Sequence, residues 1–114
     1  MWVLTSLTKL NLNNNLIEKI ENLETLVHLV ELNLSFNKIS KIENLDELAN
    51  LEKLSFYDNE IEVLENMDFL TKLTVFSIGR NKIAELENVR STRKFTKILV
   101  LFLQVTGSLL TTIL

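Results

Sequence analysis

A motif that recurs about every 22 residues constrains this chain more than any other feature of its sequence. The pattern L-x-x-L-x-L-x-x-N-x-I-x-x-I starts at Leu7 and Leu29, and two further copies with Phe, Ile or Leu replacements start at Leu51 and Leu73. A Glu-Asn pair keeps the same step, at residues 21–22, 43–44, 65–66 and 87–88. A unit this short buries its apolar residues only against its neighbours, so the repeats predict an elongated stack of coils.

The spacing of apolar residues within one repeat predicts its local structure. In L-x-L the two leucines lie on one face of a short strand, and the residue between them lies on the other face. The following apolar residues are three apart, which is typical of a helical or 3₁₀ return segment. We therefore expect an α/β fold of leucine-rich repeats. Such a fold is a right-handed solenoid with a parallel sheet on the concave face and short helical or 3₁₀ segments on the convex face.

An asparagine follows each predicted strand at the same position of the repeat. Its side chain suits an inward-facing ladder, because an amide can bond the backbone groups that a tight turn leaves unpaired. The alternative, an ordinary surface turn residue, does not explain four copies in register. The predicted structural ladder is Asn15, Asn37, Asn59 and Asn81.

The repeats divide the chain into segments. Residues 1–94 hold four repeats, at 7–28, 29–50, 51–72 and 73–94, after a partial repeat at 1–6. In residues 95–114, Phe95, Ile98 and Val100 keep the apolar positions, but Leu103 replaces the expected asparagine. This tail is a degenerate fifth repeat that caps the sheet, an altered or truncated gene product, or a membrane anchor. The last ranks lowest, because the uncharged stretch from Ile98 to Leu114 contains Gln104 and other polar residues and is shorter than the ~20 apolar residues of a span.

Composition excludes several classes of function. The net charge is -3 and cysteine is absent, so we expect no phosphate-backbone binding, disulfide or thiolate chemistry. We also expect no cofactor and no small-molecule substrate. The first ten residues lack a basic region followed by an apolar stretch, which predicts a cytoplasmic or cytoskeletal protein without a signal peptide.

Residues between the core positions of each strand are the candidate binding residues, because a solenoid presents them as an array on its concave face. Among them Tyr57 is the best single candidate, since tyrosine is enriched at interface hot spots; the alternative is an ordinary surface aromatic. Phe36 could line the rim of the same face or simply pack over the turn. The predicted protein-binding set is Lys9, Asn11, Asn13, Glu31, Asn33, Ser35, Lys53, Ser55, Tyr57, Val75 and Ser77, with Gly79 completing the last strand.

Catalytic and metal-binding patterns are missing from the sequence. His28 shares its repeat position with Asn50 and Lys72, so it has no recurring partner for acid-base or metal chemistry. The glutamates near Glu21 lack the spacing of a calcium loop and are more simply a solvated face. We find neither a Gly-rich phosphate loop nor a serine nucleophile elbow. The sequence therefore predicts a non-catalytic scaffold for protein-protein interaction.

The segments N-L-I-E-K-I-E-N-L (15–23) and N-K-I-S-K-I-E-N-L (37–45) resemble the short leucine-rich-repeat subclass typified by a regulatory subunit of protein phosphatase 1. The stretch from Leu7 to Ile39 is most similar to the third-subunit family of the nexin-dynein regulatory complex of motile cilia. That resemblance implies an axonemal scaffold that helps to connect doublet microtubules and to govern dynein. The alternative that it leaves open is a phosphatase-binding subunit.

The resemblance extends over about Leu4 to Val89 and implies no catalytic residues. The nexin-dynein family continues with further repeats and a long coiled coil, which do not follow Val89 in this sequence. We therefore expect that some assembly contacts of that family are missing here.

Overall fold

The structure is a computed structural model and describes residues 5–83. Its strands are β1 (Lys9–Asn11), β2 (Glu31–Asn33), β3 (Lys53–Ser55) and β4 (Val75–Ser77). They form one parallel sheet in the order β1-β2-β3-β4, so each repeat adds its strand beside the strand of the preceding repeat. This is the leucine-rich-repeat arrangement that the motif predicts.

The strands pair at equivalent positions of the repeat. Leu32, at the centre of β2, lies opposite Leu10 in β1 and Leu54 in β3, and Leu54 in turn lies opposite Phe76. Since successive side chains of a strand point to opposite faces, the central residue enters the core and the two flanking residues face outward. Backbone hydrogen bonding between repeats continues past the strands; the Leu34 amide donates to the Ser55 carbonyl and the Phe36 amide donates to the Tyr57 carbonyl, both at 2.8 Å.

The return segments are runs of turns, and no helix occurs within residues 5–83. In the first repeat the Leu26 amide donates to the Leu23 carbonyl at 3.0 Å, and the Leu29 amide donates to the Leu26 carbonyl at 3.1 Å. These are i to i+3 bonds as in a 3₁₀-helix, but the amides between them make no such bond, so a continuous helix does not form. Of the two alternatives predicted for the convex side, helical or 3₁₀ segments, residues 5–83 show isolated 3₁₀-type turns. Among the described residues there is accordingly no helix able to cross a membrane.

The core lies between the sheet and the return segments. The side chains of Ile39, Leu45 and Leu51 in the second and third repeats are fully buried. In the first repeat, Leu10 and Ile17 are only partly buried, because no preceding repeat covers them within the described part of the chain. Phe56 directly follows β3 and Phe76 lies in β4, both at leucine positions of the repeat, and their rings pack edge to face with centroids 6.3 Å apart.

Several expectations concern residues outside 5–83. They are the partial repeat at 1–6 in most of its length, the end of the fourth repeat at 84–94, and the three alternatives for the tail at 95–114. These remain predictions.

Candidate protein-binding face

The asparagine after each strand bonds the backbone of two repeats. Asn37 is 8% exposed, and its Nδ2 donates to the carbonyls of Leu12, Leu34 and Ser35 at 3.0 to 3.1 Å. Its Oδ1 accepts from the Ile17 amide of the preceding repeat at 3.1 Å. The same kind of bonding recurs one and two repeats further on, at Asn59 and Asn81. These side chains join neighbouring coils and hold the turn behind the sheet.

Asn15 differs from the other three. It is exposed, and its Nδ2 donates only within its own repeat, to the carbonyls of Leu12 and Asn13 at 2.9 and 3.2 Å. No backbone amide among residues 5–83 donates to its Oδ1, whereas in the later repeats the donor amide lies 20 residues earlier in the chain. The pattern predicted four equivalent asparagines, whereas the structure distinguishes this terminal one.

A second asparagine column accounts for the recurring Glu-Asn pair. Asn22, Asn44 and Asn66 have left-handed backbone conformations with φ of 65°, 60° and 59°. Asparagine enters this region more readily than most residues. The Nδ2 atoms of the latter two donate to carbonyls of the preceding repeat, Ile20 at 2.7 Å and Ile42 at 2.8 Å. The repeat pattern alone assigns this pair no role; the available signal was a 22-residue step in a residue suited to positive φ.

The candidate binding residues form three columns across the sheet, one before the core position of each strand and two after it. A groove of about 400 Å³ runs over the first two columns. The columns are Lys9, Glu31, Lys53 and Val75; then Asn11, Asn33, Ser55 and Ser77; then Asn13, Ser35, Tyr57 and Gly79.

The columns are not equally accessible. Ser35 is only 5% exposed, and its hydroxyl lies 2.6 Å from that of Ser55, so it offers little surface to a partner. Gly79 is buried as well. The accessible array therefore consists mainly of the first two columns together with Asn13 and Tyr57.

An aromatic pair marks the rim where the strands end. Phe36 is 46% exposed, and its ring packs edge to face on Tyr57 with centroids 5.6 Å apart. Phe36 has a φ of 56°, a conformation that is unusual for a bulky side chain. Positive φ recurs at this rim position in the other repeats, where the residues are Asn14, Asp58 and Arg80.

The ion pairs identified among residues 5–83 lie at the surface. The Arg80 Nε lies 3.4 Å from Asp58 Oδ2, and both side chains are exposed to solvent. His28 is exposed. Within residues 5–83, no three His, Cys, Asp or Glu side chains lie close enough together to hold a metal ion.

Comparison with known proteins identifies structures that share this fold. A family model described as "Leucine Rich repeats (2 copies)" matches residues 5–47. The structure is similar to an internalin C2 of Listeria monocytogenes, with 32% identity and a TM-score of 0.68, covering 76% of this chain and 38% of that protein. It is also similar to the internalin InlF of that organism, with 28% identity and a TM-score of 0.67, covering 76% of this chain and 26% of the other.

A third neighbour is the functional domain of InlJ from Listeria monocytogenes, with 27% identity and a TM-score of 0.62, covering 76% of this chain and 19% of that one. It is described as including a cysteine ladder, whereas the present chain has no cysteine. The chain thus spans between about a fifth and two fifths of the length of these structures. A search of curated proteins found no match. This chain contains leucine-rich repeats and has the leucine-rich-repeat fold.

Proposed function

We propose that the chain is a protein-interaction scaffold that holds its partner against the concave face of the sheet. The observation that carries this proposal is the register of the four strands, which sets exposed side chains in columns over one continuous groove. Such an array binds through many modest contacts rather than through one deep pocket. The rim pair of exposed Phe36 and partly buried Tyr57 adds the kind of aromatic surface that is enriched at interfaces.

The proposed place of action is the axoneme of cilia or flagella, as part of the dynein regulatory complex. The support for this finer proposal is the resemblance of Leu7–Ile39 to the third-subunit family of that complex. It implies a cytoplasmic, cytoskeletal protein whose partners are other subunits of the axonemal complex.

The experiment expresses the tagged chain in ciliated cells and measures its retention in detergent-extracted axonemes. The test variant is Val75→Glu, which places a charge at a 42% exposed position of the groove. The control is Lys41→Glu, because Lys41 is exposed and lies outside the groove lining. We expect the unaltered chain and the Lys41→Glu control to be retained in axonemes, and the Val75→Glu variant to be lost from them. An absence of axonemal signal for the parent would exclude the ciliary role, and equal retention of both variants would exclude the concave face.

A phosphatase-binding role is the second candidate. It is supported by the segments 15–23 and 37–45, which resemble the repeats of the phosphatase regulatory subunit. Pull-down with the catalytic subunit of protein phosphatase 1 tests it directly. Capture that Val75→Glu abolishes and Lys41→Glu preserves would support this role in place of the ciliary one.

A further inference from the structure

The groove over the sheet is rich in hydrogen-bond donors, because its asparagines are held in one orientation. The Oδ1 of Asn33 accepts from the Ser35 amide at 3.0 Å, and the Oδ1 of Asn11 accepts from the Asn13 amide in the same way. Each carboxamide oxygen is thereby engaged, which leaves the NH₂ group of a groove-lining residue available to a partner. Neither NH₂ group donates to any residue within 5–83.

The charged side chains that line the groove also favour a negatively charged ligand. Lys9 Nζ lies 3.3 Å from Glu31 Oε2, so one lysine is paired with the single carboxylate among the lining residues. Lys53 occupies the equivalent position on β3, is exposed, and has no ion-pair partner among the described residues. The groove is therefore locally cationic on a chain whose net charge is -3.

We infer that this groove takes an extended, acidic segment of a partner protein, an inference that rests on the proposed concave-face binding. One carboxylate of the segment pairs with Lys53. Other oxygen atoms of the segment accept hydrogen bonds from the NH₂ groups of Asn11 and Asn33. Four adjacent strands at a spacing of ~4.8 Å span about 14 Å, which corresponds to four or five extended residues. The groove therefore contacts only a short segment of the partner's chain.

Charge elsewhere on the chain favours an acidic protein segment over a nucleic acid. The return segments carry Glu21, Glu24, Asp46 and Glu47, all exposed. A phosphate backbone is uniformly charged over a long distance and would be repelled by these segments. A short peptide fits within the groove and avoids them.

The test uses fluorescence anisotropy with the full chain and three labelled probes: a decamer of glutamate, a decamer of glutamine and a single-stranded thymidine decamer. We expect the glutamate decamer to bind most tightly and to weaken with added salt. Asn33→Asp keeps the oxygen that accepts from Ser35 and replaces only the NH₂ group. It is expected to weaken the glutamate decamer about tenfold.

Matched variants separate the groove from general charge. Lys53→Glu and Lys41→Glu change the net charge equally, but only the former lies in the groove. We expect loss of binding for Lys53→Glu and less than about a twofold change for Lys41→Glu. Circular dichroism establishes that each variant is folded.

Each contrary outcome overturns the inference. Equal effects of Lys53→Glu and Lys41→Glu would show diffuse attraction, including attraction to basic residues outside the groove. Equal binding of the glutamine and glutamate decamers would show that the groove does not select acidic side chains. Tighter binding of the thymidine decamer would indicate that the ligand is a nucleic acid. If no decamer binds while Val75→Glu still abolishes axonemal retention, the acidic segment is refuted and concave-face binding stands. If the glutamate decamer binds and axonemal signal is absent, the ciliary role alone fails.

Discussion

Replacing Asn59 with leucine removes a ladder residue at its most buried described position. Asn59 is 6% exposed; its Nδ2 donates to the carbonyls of Leu34 and Phe56 at 2.9 and 3.0 Å, and its Oδ1 accepts from the Ile39 amide at 3.0 Å. Leucine is of similar size but offers neither a donor nor an acceptor. The change therefore tests the polar role of the ladder with little change in packed volume.

The cost falls mainly on one backbone group. The Leu34 carbonyl keeps a donor from Asn37, and the Phe56 carbonyl keeps a donor from Asn81. The Ile39 amide has no second acceptor within residues 5–83, and its bond is buried. Stranding a buried amide costs about 1 to 3 kcal/mol, and the lost bonds add about 1 kcal/mol, so we expect destabilisation of about 2 to 4 kcal/mol for Asn59→Leu.

The measurement is urea unfolding followed by far-UV circular dichroism, with amide hydrogen exchange at Ile39 as a local probe. Asn15→Leu is the matched control. It is exposed and accepts from no described amide, so its expected cost is below about 1 kcal/mol. Asn37→Leu should lie between them, at roughly 1 to 3 kcal/mol, because the Ile17 amide is only partly buried. If Asn59→Leu costs no more than Asn15→Leu, the ladder does not stabilise the stack.

Three further predictions concern other columns. Asn66→Ala should lower the melting temperature more than Asn66→Gly, because glycine loses only the bond to Ile42 whereas alanine also meets a cost of about 1 kcal/mol at positive φ; equal melting temperatures would contradict this. Leu54→Ala, at a 1% exposed core position, should reduce the unfolding free energy by about 2 to 5 kcal/mol in urea. Phe36→Asn should leave thermal stability within about 1 kcal/mol, since relief of positive φ offsets the lost ring contact with Tyr57; a larger loss would make Phe36 a packing residue.

The strands and their register follow from the sequence because their causes are local and periodic. The L-x-L spacing assigns each face, and the 22-residue step aligns Leu32 with Leu10 and Leu54. A one-residue slip would expose these leucines, so burial alone fixes the pairing. The parallel sheet was therefore predictable in direction, order and position.

The return segments and the second asparagine column were harder to predict. A spacing of three between Leu23, Leu26 and Leu29 is compatible with either a continuous 3₁₀-helix or separate turns, since both place the leucines on one side. Asn44 and Asn66 depend on carbonyls that lie one repeat away, and a local pattern does not contain that partner. Similarly, the Ser35 hydroxyl contacts the Ser55 hydroxyl of the next repeat, which lies beside it only after the coils stack.

Two sets of residues in each repeat follow different rules, and only one of them can identify the partner. Asparagine and isoleucine residues of the motif that carries the resemblance to the phosphatase subunit have structural tasks here. In segment 37–45, Asn37 bonds the backbone, Ile39 and Ile42 are fully buried, and Asn44 turns the chain. Because the fold itself requires these residues, they do not depend on which partner the protein binds. The first column of groove residues, in contrast, changes from Lys9 to Glu31, Lys53 and Val75 along the stack although the backbone conformation repeats. Because the fold does not require this variation, it is the part of the sequence that is free to encode a partner, and substitutions there test function independently of stability.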